Sequence, residues 1–244
     1  GINVKIILDN LTKLKVLVTG SSSLDLASKI SAPLTGRVWS YHLYPISFLE
    51  LSLFKNRAEL DDNFEERLIY GSYPEIFSYG NDVQKREYLQ MISDAYLYRD
   101  LIEFGDIKNS SKIRGLLKLL AFQIGSEVSL TELGNTLDMS KDTVSRYIDL
   151  LEKSFIVFRL GGFSRNLRKE VTRMDKIFFY DLGIRNILID NLKPLKDRND
   201  SGFLWENFLL LERMKRNSSK QDFVSGYFWR THTGAEHDYV EEKN

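Results

Sequence analysis

Cysteine is missing from this 244-residue chain, which excludes disulfides, thiolate metal sites and a cysteine nucleophile and suits a reducing cytosol. Histidine is scarce, and His42, His232 and His237 lack a metal-ligand spacing such as H-E-x-x-H. Net charge is absent as well: 34 basic residues balance 34 acidic ones, so no global field draws the chain to DNA or anionic lipid, and any nucleic-acid contact needs a local patch. No run approaches the roughly eighteen apolar residues of a membrane span, so no membrane partner is expected. The start, Gly1-Ile2-Asn3, is neither an initiator methionine nor a signal peptide, and a cytoplasmic fragment is the expectation. The phosphate-cradling loop G-x-x-x-x-G-K-[ST] also occurs nowhere.

What is present begins with Val16-Leu17-Val18-Thr19-Gly20-Ser21-Ser22-Ser23, followed by Leu34-Thr35-Gly36-Arg37. An apolar, β-branched run breaking into a Gly/Ser turn predicts a buried strand over Lys15–Val18, whose carboxyl end offers hydroxyls and N–H groups where ligands sit in open α/β sheets. A short helix through Leu24–Ile30 should stop before Pro33. Helical periodicity follows: Ile46, Leu49, Leu51 and Leu53; Leu68-Ile69-Tyr70, broken by Gly71 and Pro74; then Tyr88, Leu89, Ile92 and Tyr96. From about Ile107 the rhythm is that of a winged helix. Ile113, Leu116, Leu117 and Leu120 stripe a first helix, and Ser129-Leu130-Thr131-Glu132 is a capping box opening a second. Met139-Ser140 makes the tight turn, and Val144, Ile148 and Leu151 face inward from a third helix. Phe155–Leu160 and Lys176–Tyr180 read as wing strands. An apolar helix at 203–211 and a hairpin over Thr233-Gly234 close the chain as an α+β unit. The fold class is therefore mixed α/β and α+β, helix-rich, in four units: 1–44, 45–106, 107–180 and 181–244.

Phosphate contact favours an excess of cations, because counterion release scales with the phosphates neutralised. On the third winged-helix segment the signs nearly cancel, although Lys141, Thr143, Ser145 and Arg146 are placed to reach a major groove. Arg165, Arg168, Lys169, Arg173 and Lys176 outnumber Glu170 and Asp175 in the wing. The competing reading is a winged helix that only packs against protein. Glu206 shares a helix face with Phe203 and Leu210, so its carboxylate is partly desolvated and asks for a cation, a hydrogen-bond partner or a metal.

Seven motifs, in order, resemble one known family. They are Thr19-Gly20-Ser21-Ser22-Ser23, Pro33-Leu34-Thr35-Gly36-Arg37, Leu43-Tyr44-Pro45-Ile46-Ser47-Phe48, Tyr70-Gly71-Ser72-Tyr73-Pro74-Glu75, Phe179-Tyr180-Asp181-Leu182-Gly183, Leu204-Trp205-Glu206-Asn207, and Phe228-Trp229-Arg230 with Glu236-His237-Asp238-Tyr239-Val240. The family is that of bacterial and archaeal AAA-type ATPases carrying a C-terminal domain of unknown function. The resemblance implies the end of an ATPase core (1–44), a helical lid (45–106), a winged helix (107–180) and a truncated unit similar to restriction-endonuclease-like nucleases (181–244). The Walker A loop and Walker B strand would precede Gly1, so ATP and Mg²⁺ belong to the intact protein and no cofactor is expected in this chain.

Thr19 and Ser21 match the family's sensor position, with helix capping as the alternative. Arg37 is expected either to reach transition-state phosphate charge, in cis or across a homo-oligomer boundary, or to make a surface salt bridge. By the same resemblance Asp238 is a Mg²⁺ ligand assisted by Glu206, and the completing Glu-x-Lys lies past Asn244 rather than at Glu241-Glu242-Lys243. The expected function is the C-terminal portion of an ATPase whose terminal modules engage double-stranded DNA or a protein. The alternatives are a winged-helix DNA-binding module and a Mg²⁺-dependent nuclease in the intact protein.

Overall fold

The computed structural model describes residues 2–11, 13–20, 39–95, 110–163, 174–231 and 235–243. Helix α1 (Ile2–Asn10) opens the chain, and the next described stretch, 13–20, holds no helix or strand. The strand expected at Lys15–Val18 is thus not formed. A strand exists only through its ladder, none of the described strands runs beside this segment, and Leu17 stays 88% exposed. The helix expected at Leu24–Ile30 lies outside the described residues. Among those that are described, the first buried side chain is that of Pro45.

Two short helices follow, each started by a reciprocal capping box. At α2 (Phe48–Leu51) Ser47 and Glu50 exchange bonds of 3.1 and 2.8 Å; at α3 (Arg57–Asp62) Asn56 and Glu59 exchange bonds of 3.0 and 2.9 Å. A single turn at α2 buries only Leu51, so Leu49 and Leu53, expected on a helical stripe, point outward. Helix α4 (Phe64–Tyr70) ends at Gly71, and a 3-10 turn at Pro74–Ser78 leads into α5 (Asp82–Ala95).

Helices α6 (Ser110–Phe122), α7 (Leu130–Leu137) and α8 (Lys141–Lys153) form around the expected stripes. Ile113, Leu116, Leu117, Leu120, Val144, Ile148 and Leu151 are all buried, and at about 2 kcal/mol each this burial outweighs helix propensity. Ser129 caps α7 by accepting from Glu132 N at 3.3 Å, one half of the expected box. Gly134 lets the turn before α8 cross closely, since a Cβ there would lie 2.6 Å from the Met139 carbonyl.

Strands β1 (Val157–Gly162) and β2 (Lys176–Phe179) pair antiparallel. After α9 (Leu182–Leu188) and the long α10 (Ser201–Lys220), β3 (Val224–Arg230) joins β1 in parallel, and β4 (Glu236–Lys243) pairs antiparallel with β3. The order is β2-β1-β3-β4. The expected division at residue 180 therefore falls inside one sheet, and the larger of two core clusters runs from Leu68 through the three helices to Phe228, beside a smaller one of Ile69, Tyr70, Ile76, Leu89, Ile184 and Ile187. This helix-rich fold with a small mixed sheet is the fold class that the sequence predicts. Among the described residues no helix is long and apolar enough to cross a membrane.

Three of the quoted motifs act by interlocking. Gly71 has φ +81°, and a Cβ there would overlap the Asp181 carboxylate; a Cβ on Gly183 would overlap the Tyr70 carbonyl. Into this close approach Asp181 accepts from Ser72 N at 2.7 Å and caps α9 through Ile184 N at 3.2 Å. Asn207 covers the free edge of β2 by accepting from Phe179 N (2.7 Å) and donating to Phe179 O (2.9 Å), as a neighbouring strand would.

Candidate functional site

One cluster gathers Glu206, one of the two carboxylates that the sequence singles out in the last unit, with Glu236 of β4. Lys176 opens β2, where it pairs with Leu160 of β1, so its side chain shares a sheet face with Gly162 and with Gly162's partner Phe228. Gly162 leaves that face open. The lysine crosses it with Nζ 5.3 Å from the Phe228 ring centroid and ends 3.3 Å from Glu206 Oε1 and 2.7 Å from Glu236 Oε1. Gly125, at φ +73°, clears the space beside Glu206. Arg230 extends the cluster to Glu127 at 3.2 Å and to Glu236 at 3.8 Å.

The electrostatics follow from partial burial. Desolvation alone would lower the Lys176 ammonium, but Glu236 and Glu206 outweigh it and raise its pKa above the usual lysine value. Burial raises the Glu206 carboxyl, with Lys176 opposing and Asp238 adding to the rise. The hydrogen bond from Lys176 holds Glu236 below the usual carboxylate range. A lysine kept protonated is no general base at neutral pH; it clamps two carboxylates. Of the cation, hydrogen-bond partner or metal expected beside Glu206, the structure supplies a cation, Lys176, which the sequence counts among the wing's basic residues. Lys176 is 5% exposed and cannot be part of an exposed basic face.

Asp238 is itself exposed on β4 and reaches the cluster through its field on Glu206. Among the described residues no three His, Asp or Glu side chains are grouped to hold a metal ion. With an ammonium standing between Glu206 and Glu236, the donor set does not fit Mg²⁺, and no metal-dependent step is derived from it.

A second ionic junction lies deeper. Arg67 bonds Glu212 (3.2 Å), Ser72 Oγ (3.2 Å) and the Ile46 carbonyl (3.2 Å), and its guanidinium lies 5.8 Å from the Phe48 ring and 5.0 Å from the Phe208 ring. Glu212 also accepts from Phe48 N at 2.7 Å and from Lys215 at 3.0 Å. Burial lowers both cations, with Glu212 opposing. Burial also pushes the fully enclosed Asp181 up to about 6 against the pull of the Ser72 and Ile184 N–H groups. Sequence reasoning missed this junction; the available signal was the charge in Arg67, Glu212 and Lys215 amid otherwise apolar helix stripes.

On α8, Lys141 and Arg146 are exposed, and Arg146 lies 5.5 Å from the Tyr147 ring. Thr143 and Ser145 are half-buried, with Thr143 N donating to the Ser140 cap at 3.2 Å. Two acids farther along the helix, Asp149 and Glu152, are bound by Arg159 at 2.5 and 2.8 Å. Arg165, Arg168 and Lys169 lie outside the described residues, as do Ser21 and Arg37. Thr19 is described and exposed on an irregular stretch. The described residues therefore form no phosphate cradle, and no step of nucleotide chemistry is derived from them.

Comparison with known proteins places these features. A model described as a domain of unknown function, DUF8612, matches residues 61–195, more than half of the chain. The chain belongs to the DUF8612 family. A model described as an AAA domain matches residues 2–52. An uncharacterized protein of Methanocaldococcus jannaschii is 27% identical over 82% of this chain and 47% of its own length. One of Haemophilus influenzae is 26% identical over 84% and 52%, and one of Mycobacterium tuberculosis 29% identical over 93% and 49%. The chain thus spans about half the length of the curated relatives it matches. No solved structure matches it. Both ionic clusters straddle the end of the DUF8612 match: Arg67, Lys176 and Asp181 lie within it, while Glu206, Glu212, Lys215 and Glu236 follow it.

Proposed function

We propose that this chain is the C-terminal portion of an AAA-type ATP-binding protein, an ATPase when intact, in which residues 45–243 form an effector body that engages DNA or protein. The observation that carries this reading is a coincidence of boundaries. The AAA match covers residues 2–52, and in its described part before Pro45 only the half-buried His42 and Tyr44 rest against the body. Among the described residues Val16, Leu17 and Val18 are a strand sequence without a strand partner, as expected of a segment whose remaining sheet lies in the other half of a protein twice this length.

Calorimetry tests this directly: ATP with Mg²⁺ gives no binding heat with this chain and a saturable heat with the full-length protein. In that protein Arg37→Ala lowers turnover. Saturable binding to the chain alone, or full turnover by the Arg37→Ala protein, refutes the assignment.

For the partner, α6, α7, α8 and the β1/β2 pair serve as a winged helix that presents Lys141 and Arg146 to duplex DNA. What supports this reading is the neutralisation of Asp149 and Glu152 by Arg159, which leaves the two cations less opposed than the sequence alone suggests. Mobility shifts over a salt series decide it. Retardation that weakens with salt and with Lys141→Ala/Arg146→Ala agrees; no retardation at low salt points to a protein partner instead.

A further inference from the structure

Upstream of the body, His42 and Tyr44 rest against it. Residues 39–44 form no helix or strand; Trp39, Ser40, Tyr41 and Leu43 are exposed, and His42 and Tyr44 are half-buried. The His42 imidazole stacks on Tyr44 at 4.3 Å and 7°, and meets two rings of the body, Phe155 at 4.2 Å and Tyr180 at 5.2 Å. Phe155 and Tyr180 are set edge to face at 6.1 Å, and Phe158 backs Tyr180 at 5.2 Å.

One wall of this cage is maintained against backbone strain. Helix α8 ends with Ile156 N bonded to Leu151 O and Phe155 N bonded to Glu152 O, both at 3.0 Å, the pair of bonds of a Schellman cap. Glycine ordinarily fills the left-handed position of that cap, yet here it is Phe155, at φ +56°. A bulky residue in that conformation costs about 1–2 kcal/mol, which persists only where its side chain does something a glycine cannot. What the Phe155 ring does is close the cage on His42.

We infer that His42 is a proton-operated clasp between the AAA-matched segment and the body: the neutral imidazole is held among Tyr44, Phe155 and Tyr180, and the imidazolium leaves them for water. The groups around it offer the charged form little. Tyr44 lies on its own segment, Tyr180 follows β2, and burial raises both phenols so that they stay neutral. Glu152, at the end of α8, is already bonded by Arg159, and Phe155 and Phe158 carry no charge. Two effects compete: stacking on aromatic faces attracts a cation, whereas burial removes its hydration. Burial lowers the His42 pKa below 6.5, the direction that the clasp requires. The sign follows. The closed clasp is fully favoured above pH 6.5, and its advantage falls as pH drops from 6.5 toward the lowered value, tenfold in the closed-to-open ratio for each unit between them. None of this requires that the longer protein bind a nucleotide, so failure of the ATPase reading leaves the clasp standing.

The test is an NMR titration of the histidine ring protons in this chain, with His42 assigned by its absence in His42→Phe. At pH 7.5 the His42 protons should be shifted by the flanking rings and show cross-relaxation to Phe155 and Tyr180. Those contacts should vanish through a midpoint below 6.5, and Phe155→Gly, which relaxes the strain and removes a wall, should return the midpoint toward 6.5. A midpoint at or above 6.5, ring contacts that survive protonation, or an unchanged midpoint in Phe155→Gly each overturn the clasp. If His42→Phe fails to fold, the wild-type contacts and the Phe155→Gly midpoint still decide.

Discussion

Replacing Lys176 by Met keeps the stem that lies over Phe228 and removes only the charge between Glu206 and Glu236. The side chains are 6% exposed for the lysine, 15% for Glu206 and 31% for Glu236, so Glu206 is left desolvated while Glu236 turns to water. At an effective dielectric of about 20, a pair at the observed 3.3 Å attracts by about 5 kcal/mol, most of it offset by the cost of dehydrating both ions. Removing one partner of a buried pair costs about 3–5 kcal/mol, and the exposed rim of this cluster brings the expectation to about 2–3 kcal/mol. Urea denaturation at pH 7 measures it. Adding Glu206→Gln to Lys176→Met should recover at least half of the loss, and the single variant should lose less at pH 4.5, where Glu206 accepts a proton. A loss under about 1 kcal/mol, or strict additivity of the two changes, would show that the lysine does not sustain Glu206.

Gly183→Ala drives a methyl into the Tyr70 carbonyl, a backbone obstacle that cannot swing aside, and should cost about 3 kcal/mol by thermal or chemical denaturation; a near-neutral variant would break the interlock argument. Because Asp181 is raised from 3.8 to about 6, the folded protein binds its proton more tightly than the unfolded chain. Its contribution is therefore full below pH 3.8 and lost as pH rises through about 6, a change of about 3 kcal/mol that Asp181→Asn should remove from the stability-against-pH curve. Asp200 behaves oppositely: burial would raise it, but Arg198 and Arg185 outweigh burial and hold it at about 2, so its contribution is present above pH 3.8 and lost as pH falls through 2. Asp200→Asn leaves the enclosed Arg185 without its charge partner and should destabilise by about 3 kcal/mol at pH 7, measured in the same way.

Local pattern made much of this molecule readable. The stripes of α6, α7 and α8 repeat at helical spacing, Ser129 caps α7 where the sequence places a cap, Ser140 of the tight turn caps α8, and the largely apolar runs at 157–160 and 176–179 pair with each other. Long-range pairing was not readable. The parallel contact of Gly161-Gly162 with Tyr227-Phe228 joins segments whose sequences carry no mark of each other, and it merges two expected units into one sheet. The strand expected at Lys15–Val18 failed for the same reason in reverse: propensity supplies a candidate, and only a neighbour makes a strand.

At the candidate site, the partial burial of Glu206 and its need for a cation, a hydrogen-bond partner or a metal followed from helix spacing. The identity of that partner did not, because Lys176 sits at the head of an apolar strand where a charge looks peripheral, and only the pairing of β1 with β3 and of β3 with β4 brings Glu236 within 2.7 Å of its ammonium. Asp181, Gly71 and Gly183 stood out as motif residues without a visible purpose. Their meaning is steric and appears only when the two loops meet.

Amide hydrogen exchange over residues 14–18, measured in this chain and in the full-length protein that contains it, tests the central claim most directly. The account predicts exchange at nearly unprotected rates in the chain, and protection comparable to that of β1 in the full-length protein, where the segment gains neighbouring strands. Protection in the chain alone, or none in either, would contradict it.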